Sequence, residues 1–286
     1  MNTDIGITLI GAGRVGMNIL RHLRQKELNI LVVVETDIEK HAAVRSLLPN
    51  TRVVASMPRA LPHDTHICII CVPDEQISAV ATALAHPHAL PSAALVFHVS
   101  GLRTAEELQA LEEMGCTTGC LHPIQSFSEG ALPVDRMEGL GCGIEGNDMF
   151  WRQASSFAEL IGWQPVRIAA QHKAQYHAAC VFAGNFTTVL AAQAEQLMQA
   201  SAQMGEPAGH LLLPMLETVL KELYDHPAER ILTGPAMRGD MHAITMHMEA
   251  MKDQPELLAT YRALTRAAVQ LSALPPGKKR EILDTL

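Results

Sequence analysis

Aromatic and charged residues are both scarce in this chain. Of its 286 residues, 4% are aromatic and 18% are charged, whereas 48% are hydrophobic. That much apolar material is enough for a folded core, which excludes a disordered or collagen-like chain. The length predicts about two domains. Because aromatics are few while Ala, Leu, Met and Val are abundant, we expect helices that pack through small and flexible aliphatic side chains.

Positive charge is also in short supply. The chain has 22 Lys and Arg against 30 Asp and Glu, which gives a formal net charge of −8. A protein with net negative charge is poorly suited to binding the negatively charged phosphate backbone of a nucleic acid. The sequence also has no block of like charge and no low-complexity tract. We therefore expect a small-molecule partner and no nucleic acid.

Cysteine patterns that would indicate disulfides or zinc are missing. No segment resembling a secretory leader precedes the six cysteines, so we expect a reducing, cytoplasmic location. Cys68 and Cys71 form a C-x-x-C pair, but they lie in a β-like apolar run with no partner pair at zinc spacing. The pattern favours buried apolar thiols. The histidines show no set with convincing ligand spacing either, so we expect no metal.

A long uncharged run raises the question of a membrane span. Between Lys173 and Glu195 lie 21 residues without a formal charge, enough to cross a bilayer. The run nevertheless contains several amides, hydroxyls and a histidine, and no Lys/Arg-rich loops surround it. These features favour a helix buried on most sides inside a protein over a membrane helix.

Hydrophobic periodicity divides the chain into two parts. From residue 5 to about 168, short β-rich runs alternate with helical stretches, which predicts an α/β domain with a Rossmann-type, doubly wound parallel sheet. Gly141–Ile144 and Pro165–Ile168 are expected to extend this sheet. After Ala170 no convincing strand remains, and a first long helix is predicted over His172–Met204. We therefore predict a dinucleotide-binding domain at 1–170 and an all-helical substrate and dimerisation domain at 171–286.

A glycine fingerprint lies directly after the first predicted strand. The segment Gly11-Ala12-Gly13-Arg14-Val15-Gly16 matches G-x-G-x-x-G, and a helix opens within it. Gly11 permits the tight turn, Gly13 lets the backbone approach a pyrophosphate, and Gly16 allows the helix to pack closely on the sheet. The helix N-terminus then binds the anion. The alternative is a structural turn without a ligand.

An acidic residue follows at the distance that this fingerprint requires. Glu35 ends the second predicted strand, 19 positions after the third glycine, and can accept hydrogen bonds from the adenosine ribose. A carboxylate there would repel a 2′-phosphate, which favours NAD. Because Arg14, Lys40 and Arg45 are close in sequence, NADP stays open. We predict NAD or NADP as the cofactor.

Two further strands end in candidate ligand-contacting residues. Val72 and Pro73 follow the fourth strand, and Ser100 and Gly101 follow the next. Open parallel sheets bind ligands at the carboxyl ends of their strands. We expect Val72 and Pro73 to line the cofactor, and Ser100 and Gly101 to contact nicotinamide or substrate. A plain turn is the alternative for the second pair.

Candidate catalytic residues cluster on the first long helix. Lys173 and His177 are one turn apart on the same stripe, with Asn185 at its flank, and Tyr176 is adjacent. Hydride comes from the nicotinamide, so the protein must supply a proton and orienting groups. We predict Lys173 as the proton donor, with His177 and Asn185 orienting the substrate. A solvated lysine and a core histidine are the alternatives.

Two polar segments complete the candidate set. His122-Pro-Ile-Gln-Ser-Phe127 is interpreted as a loop after the strands, with His122 as a candidate acid or substrate ligand. A purely structural role in the loop is the alternative for His122. Asp240 ends a segment beginning at Thr233 and is expected to cap the following helix, a role more common than catalysis.

Several of these motifs together resemble one family. The chain resembles the bacterial Rossmann-like proteins with a C-terminal DUF2520-type domain, within the wider superfamily of 6-phosphogluconate dehydrogenases and ketopantoate reductases. The resemblance covers nearly the whole chain. It rests on Gly11–Gly16, Cys71-Val-Pro-Asp74, His98-Val-Ser-Gly101, His122-Pro-Ile-Gln-Ser-Phe127, Tyr176-His-Ala-Ala, Asn185 and Leu232-Thr-Gly-Pro235 with Arg238-Gly-Asp240.

The resemblance implies an enzyme and a dimer. It implies a Rossmann domain and a helical domain that pairs two chains into a homodimer. In related β-hydroxyacid and ketopantoate enzymes, a Lys and an Asn four residues later serve the carbonyl. Lys173 matches the first, but His177 stands at the second position.

The expected function is an NAD(P)-dependent oxidoreductase that transfers hydride to a small carbonyl compound, such as a 2-oxo acid like ketopantoate. Substrate is expected between the two domains. The alternatives are an imine reductase and a sensor or scaffold that binds the dinucleotide without turning it over.

Overall fold

The computed structural model describes residues 5–130, 132–201 and 209–286. The chain divides into two compact units, Met1–Phe186 and Thr187–Leu286. The predicted boundary near residue 170 marks where strands give way to helices, whereas the first unit continues to Phe186. It continues because the first helix after the boundary begins with Lys173, whose side chain is buried.

The first unit is built on one eight-stranded sheet. Its spatial order is β3-β2-β1-β4-β5-β6-β7-β8, and the first six strands run parallel. β7 runs antiparallel to β6, and β8 runs parallel to β7. The strands are β1 (Gly6–Ile10), β2 (Asn29–Val34), β3 (Arg52–Val54), β4 (Thr65–Ile70), β5 (Leu95–His98), β6 (Thr117–Pro123), β7 (Gly141–Gly146) and β8 (Gln164–Arg167).

Strand alternation explains why this sheet is buried on both faces. In β4, Ile67 and Ile69 belong to one apolar cluster, whereas Cys68 and Ile70 belong to a second. Successive side chains of a strand point to opposite faces, so each cluster is covered by its own helices. The helices of this unit are α1 (Arg14–Gln25), α2 (His41–Leu47), α3 (Ile77–Leu84), α4 (Gln109–Glu112), α5 (Asp148–Leu160) and α6 (Lys173–Val181).

The strand β6 corrects one interpretation of the sequence. His122 was expected in a loop, but it lies inside β6, where it pairs with Gly143 of β7. Gly119 and Pro123 obscure the strand pattern because both residues are depleted in strands. Pro123 is tolerated because it is the last residue of the strand.

All the regular elements of the second unit within the described residues are helices. Its small core centres on Ile244, Val269 and Ile282. The predicted helix His172–Met204 consists of α6, a π-helical segment (Phe182–Phe186) and α7, and its last three residues fall outside the described ones. The helices of this unit are α7 (Thr187–Ser201), α8 (Leu213–Asp225), α9 (Ala228–Ile231), α10 (Pro235–Arg238), α11 (Met241–Ala250), α12 (Pro255–Leu271) and α13 (Pro276–Thr285).

The fold class predicted from the sequence is confirmed, with an eight-stranded, mostly parallel sheet followed by helices. Cys68 and Cys71 are buried free thiols. Among the described helices, none combines the length and apolar character needed to cross a bilayer.

The sheet core gives a direct test of the fold. Leu9 is fully buried in β1, so Leu9→Ala should lower the free energy of unfolding by about 2–5 kcal/mol, because it removes buried methyl groups and leaves a cavity. Met149→Ala, at a half-exposed position of α5, is the matched control and should change it by about 0.5 kcal/mol or less. Urea titration followed by circular dichroism measures both. Equal effects of the two variants would contradict the buried position of Leu9.

Candidate functional site

A cleft of about 620 Å³ lies beside the glycine turn, at the carboxyl ends of β1, β2 and β4. Five of the nine predicted cofactor residues line it. Its wall also includes Thr36, Asp37 and Lys40, and a row of small side chains from α3. The five predicted residues are Gly11, Gly13, Glu35, Val72 and Pro73.

Each glycine of the turn is required, or leaves space, for a different structural reason. Gly11 has a φ of 92°, and a Cβ there would lie 2.7 Å from the Cys71 carbonyl oxygen. A Cβ on Gly16 would overlap the carbonyl oxygen of Gly11. A Cβ on Gly13, in contrast, would meet no atom within 4 Å, so the space beside it is open. The first and third glycines are needed by the fold, and the second leaves room for a ligand.

The N-terminus of α1 adjoins this open space. Gly13 is the N-cap residue, and no side chain caps the helix. The first-turn N–H groups of a helix lack intrahelical partners and carry positive partial charge. The arrangement suits a pyrophosphate or another anion.

Glu35 braces the turn from the next strand. Its carboxylate accepts hydrogen bonds from the backbone N–H groups of Ala12 (2.6 Å) and Asp37 (2.8 Å), and its side chain is buried. Its carbonyl oxygen bonds the His41 ring at 2.7 Å. Glu35 therefore already holds the glycine turn, and each carboxylate oxygen keeps a lone pair for a further donor.

The remaining predicted cofactor residues lie around the cleft rather than in its wall. Ala12 is buried and contributes its N–H to Glu35. Gly16 packs under Gly11, and Arg14 and Val15 open α1 outside the set of lining residues.

A second cleft, of about 270 Å³, contains most of the predicted catalytic residues. Strand β6, the segment after it, α6 and the π-helical segment form its wall. The lining residues are His122, Ile124, Gln125, Ser126, His177, Cys180, Val181, Ala183, Gly184 and Asn185.

Two histidines meet in this second cleft. The rings of His122 and His177 have centroids 6.3 Å apart. Both rings pack on Gly101, where a Cβ would lie 2.5 Å from Cδ2 of His177 and 3.0 Å from Nε2 of His122. Any side chain at position 101 would displace the pair.

Tyr176 fixes the orientation of His122. Its hydroxyl is 2.7 Å from Nδ1 of His122, and the two rings meet edge to face. The hydroxyl lies over Gly143 of β7, where a Cβ would overlap it. This bond leaves Nε2 as the nitrogen of His122 available to a ligand.

The turn after β5 connects the two clefts. The Ser100 hydroxyl donates to Asp74 Oδ2 at 2.8 Å, and Asp74 follows Pro73 of the first cleft. The same hydroxyl accepts the N–H groups of Leu102 and Arg103. The next residue, Gly101, supports the histidine pair. Both ends of this bond therefore adjoin a cleft.

Lys173 lies behind this turn. Its amino group donates to the Ser100 carbonyl oxygen at 2.9 Å and to Cys120 Sγ at 2.8 Å, and the residue is only 2% exposed. It is absent from the residues that line the second cleft in the described part of the chain. Its predicted role as proton donor stays a prediction, since nothing in the structure tests it.

Burial sets the protonation of the surrounding groups. Burial, followed by the charge of Lys173, lowers the pKa of His122 to about 4. Burial likewise lowers the pKa of His98 to about 4. The pKa of Cys120 is raised by burial to about 11, and that of Tyr176 is raised well above its ordinary value for the same reason. Near pH 7, the imidazoles of His122 and His98 are therefore neutral, Cys120 is a thiol and Tyr176 is a phenol.

The π-helical segment shapes the far wall of the second cleft. Phe182–Phe186 interrupts the helix, and three of its residues, Ala183, Gly184 and Asn185, line the cleft. Such single π turns occur often at functional sites. The predicted helical stripe therefore brings His177 and Asn185 to one cleft through a local widening of the helix.

Several site residues were not predicted from the sequence. His98 is fully buried and bridges the Ser100 N–H and the Thr104 carbonyl oxygen through its two ring nitrogens. Asp74, Cys120 and Gly143 acquire their roles only through contacts across the sheet. The motifs Cys71-Val-Pro-Asp74 after β4 and His98-Val-Ser-Gly101 at the end of β5 were signals for Asp74 and His98, but no local pattern marks Cys120 or Gly143.

Asp240 and the histidines were the remaining residues considered in the sequence. Asp240 accepts a hydrogen bond from the Ala243 N–H at 3.0 Å and caps α11, as predicted. Over the described ranges, no group of three or more His, Cys, Asp and Glu residues is arranged to hold a metal ion.

Two known domain families match this chain, and both are the ones that its sequence motifs predict. Residues 2–123 match the Rossmann-like domain, and residues 140–268 match the domain of unknown function DUF2520. No curated protein sequence matches the chain.

Solved structures show the same fold at low sequence identity. BF3122 of Bacteroides fragilis, by name a candidate NADP oxidoreductase, is 20% identical with a TM-score of 0.76, covering 94% of this chain and 99% of its own. TM1727 of Thermotoga maritima is 20% identical with a TM-score of 0.69, covering 98% of each chain. A reductive aminase of Aspergillus terreus is 15% identical with a TM-score of 0.61, covering 99% of each. The chain thus combines a Rossmann-like domain with a DUF2520 domain, the two domains that its motifs predict.

Proposed function

We propose that this chain is an NAD(P)-dependent oxidoreductase that delivers hydride to a small carbonyl or imine compound. The main support for this proposal is that two clefts lie at one edge of the sheet and are joined through the Asp74–Ser100 hydrogen bond. One cleft has the features of a dinucleotide site. The other holds an ordered, neutral imidazole beside a wall of small and polar side chains.

The first cleft fits a nicotinamide dinucleotide. The open space at Gly13 and the uncapped start of α1 would take the pyrophosphate, and Glu35 would accept the ribose hydroxyls. When bound, the nicotinamide supplies the hydride. The residues of this chain bind and orient it, with Val72 and Pro73 along its path.

Charge at the ribose end supports NAD over NADP. Glu35 and Asp37 both line the cleft, and the Asp37 carboxylate already pairs with Lys40 at 3.2 Å. A 2′-phosphate would therefore face two carboxylates and a lysine that is already engaged. BF3122 is by name a candidate NADP oxidoreductase, so NADPH is the cofactor with which NADH is to be compared.

The second cleft suits a small substrate. His122 and His177 would orient the reacting group, with Asn185, Ser100 and Gly101 around it. A carbonyl oxygen needs a donor, which His122 supplies from Nε2–H when Tyr176 donates to Nδ1. A ketopantoate-like 2-oxo acid is the leading substrate by resemblance. The proton for the product oxygen would then come from a histidine or from Lys173.

One observation favours an imine as the second candidate. The residues that line the second cleft in the described chain include no Lys or Arg to pair with a substrate carboxylate. A protonated imine accepts hydride without a further proton, and it needs an acceptor rather than a cation. His122 is that acceptor when Nδ1–H donates to the Tyr176 oxygen. The two substrates therefore require opposite tautomers of His122.

The helical unit supports a homodimer. Helices α7 and α8 contain no buried residue, although α8 carries Leu213, Leu220 and Leu223 on its surface. Large apolar side chains left exposed on the helices of a single chain are commonly buried in an oligomer interface. We propose that a second copy of this chain covers α7 and α8.

Dinucleotide binding tests the first cleft. Gly13→Val places a side chain in the open space beside the turn, so the Kd for NADH should rise about 100-fold or more, because the pyrophosphate loses its place. Gly277→Ala, where a Cβ also meets no atom within 4 Å, is the control and should leave the Kd unchanged. Isothermal titration with NADH and NADPH measures both, and wild-type protein should prefer NADH. Tighter NADPH binding would reject the proposed preference.

Turnover tests the second cleft. With NADH, wild-type protein should reduce a member of a panel of 2-oxo acids and cyclic imines, and His122→Gln should lower kcat/KM about 100-fold or more through loss of the oriented imidazole. The preferred class in steady-state assays separates carbonyl from imine reduction. Micromolar dinucleotide binding without turnover of any substrate would instead support the sensor or scaffold.

The oligomeric state tests the helical surface. Leu220→Asp places a charge on α8 and should shift the protein from twice the 31.1 kDa chain mass to the chain mass in light scattering after gel filtration. Met149→Asp introduces the same charge on α5 and should leave the mass unchanged. A monomeric wild-type protein would exclude the dimer.

A further inference from the structure

The amino group of Lys173 is buried in an unusual setting. It is 2% exposed, yet no carboxylate lies within ion-pair distance of it among the described residues. Its hydrogen-bond partners are a backbone carbonyl and a thiol. Burying an amino group without a carboxylate is costly, so such a group is commonly retained for a functional reason.

The three polar atoms form a closed triangle. Nζ of Lys173 lies 2.9 Å from the Ser100 carbonyl oxygen and 2.8 Å from Cys120 Sγ, and Sγ lies 2.9 Å from the same carbonyl oxygen. The Ser100 carbonyl therefore accepts from both the amine and the thiol. The triangle ties the turn after β5 to strand β6 and helix α6.

This triangle acts directly beneath the cleft. Ser100 is held further by its N–H to His98 and by its hydroxyl to Asp74. The next residue is Gly101, on which the rings of His122 and His177 pack without room for a Cβ. A small movement of the Ser100 carbonyl would therefore move the surface that sets the positions of both imidazoles.

We propose that Lys173 is a positioning residue, which fixes the Ser100–Gly101 turn through the Cys120 triangle and thereby sets the geometry of the histidine pair in the second cleft. Its kinetic consequence rests on the proposed oxidoreductase function. The effect of Lys173 on His122 does not rest on that function, because the contacts of Lys173 with Ser100 and Cys120 are present without substrate.

The charge of Lys173 reinforces the same role. The groups around His122 are Lys173, Tyr176 and His177 from α6, Asp74 after β4, and His98 at the end of β5. After burial, Lys173 makes the largest contribution to lowering the pKa of His122 to about 4, and Asp74 opposes it. His122 is neutral throughout the physiological range, as its role at Nε2 requires.

The first experiment is an NMR titration of His122 without substrate. In the wild type, the His122 side-chain nitrogens, assigned by comparison with His122→Gln, should not titrate between pH 8 and 5.5. In Lys173→Met, whose side chain is similar in length and uncharged, the midpoint should move upward. Lys252→Met removes an exposed lysine of the second unit and should cause no shift. An unshifted His122 in Lys173→Met would overturn the proposal.

The second experiment separates positioning from proton donation. Lys173→Met should raise KM and lower kcat/KM about 100-fold, as expected for a reacting group displaced by about 1 Å. The alkaline limb of the kcat/KM profile should persist, because another group supplies the proton. Loss of that limb, with KM unchanged, would show that Lys173 donates the proton and would reject the positioning role.

A variant of Cys120 provides an independent test if Lys173→Met does not fold. Cys120→Ala removes one corner of the triangle and should raise KM in the same direction, whereas Cys120→Ser keeps a polar atom and should restore most of the loss. Equal kinetics for Cys120→Ala and the wild type would count against the triangle. If no substrate is turned over at all, the proposed function fails, while the NMR titration still tests whether Lys173 acts on His122.

Discussion

The parallel direction of β1, β4, β5 and β6 is the constraint on which the two clefts depend. Parallel strands end at the same edge, so residues that follow them converge although they are far apart in sequence. Gly11, Asp74, Ser100 and His122 meet at this edge for that reason. The antiparallel pairing of β7 with β6 places Gly143 beside His122 and beneath the Tyr176 hydroxyl.

Local patterns in the sequence were sufficient for the fold and for the first cleft. The glycine turn and Glu35 obey short-range rules, since a strand, a turn and a helix N-terminus lie within one βαβ unit. The alternation of apolar runs likewise predicted most of the sheet, including its extension by β7 and β8. The capping role of Asp240 is also local, and the structure confirms it.

The second cleft was predicted only in part because its contacts are long-range. His122 lies on a strand whose glycine and proline obscure its pattern. The helical stripe grouped Lys173 with His177, but a long side chain on a helix can extend in more than one direction. Lys173 reaches back to Ser100 and Cys120, whereas His177 faces the cleft. Spacing cannot distinguish these directions, because they depend on the surface against which the helix packs.

The hydrogen bonds from Glu35 to the backbone of the glycine turn have a consequence for the thermodynamics of ligand association. They order the Ala12 amide before any ligand is present. A dinucleotide would therefore meet a rigid turn, and little chain entropy would be lost there on binding. A truncated ligand that keeps only the adenosine end would gain from the same ordering, because the turn is held by Glu35 and not by the rest of the ligand.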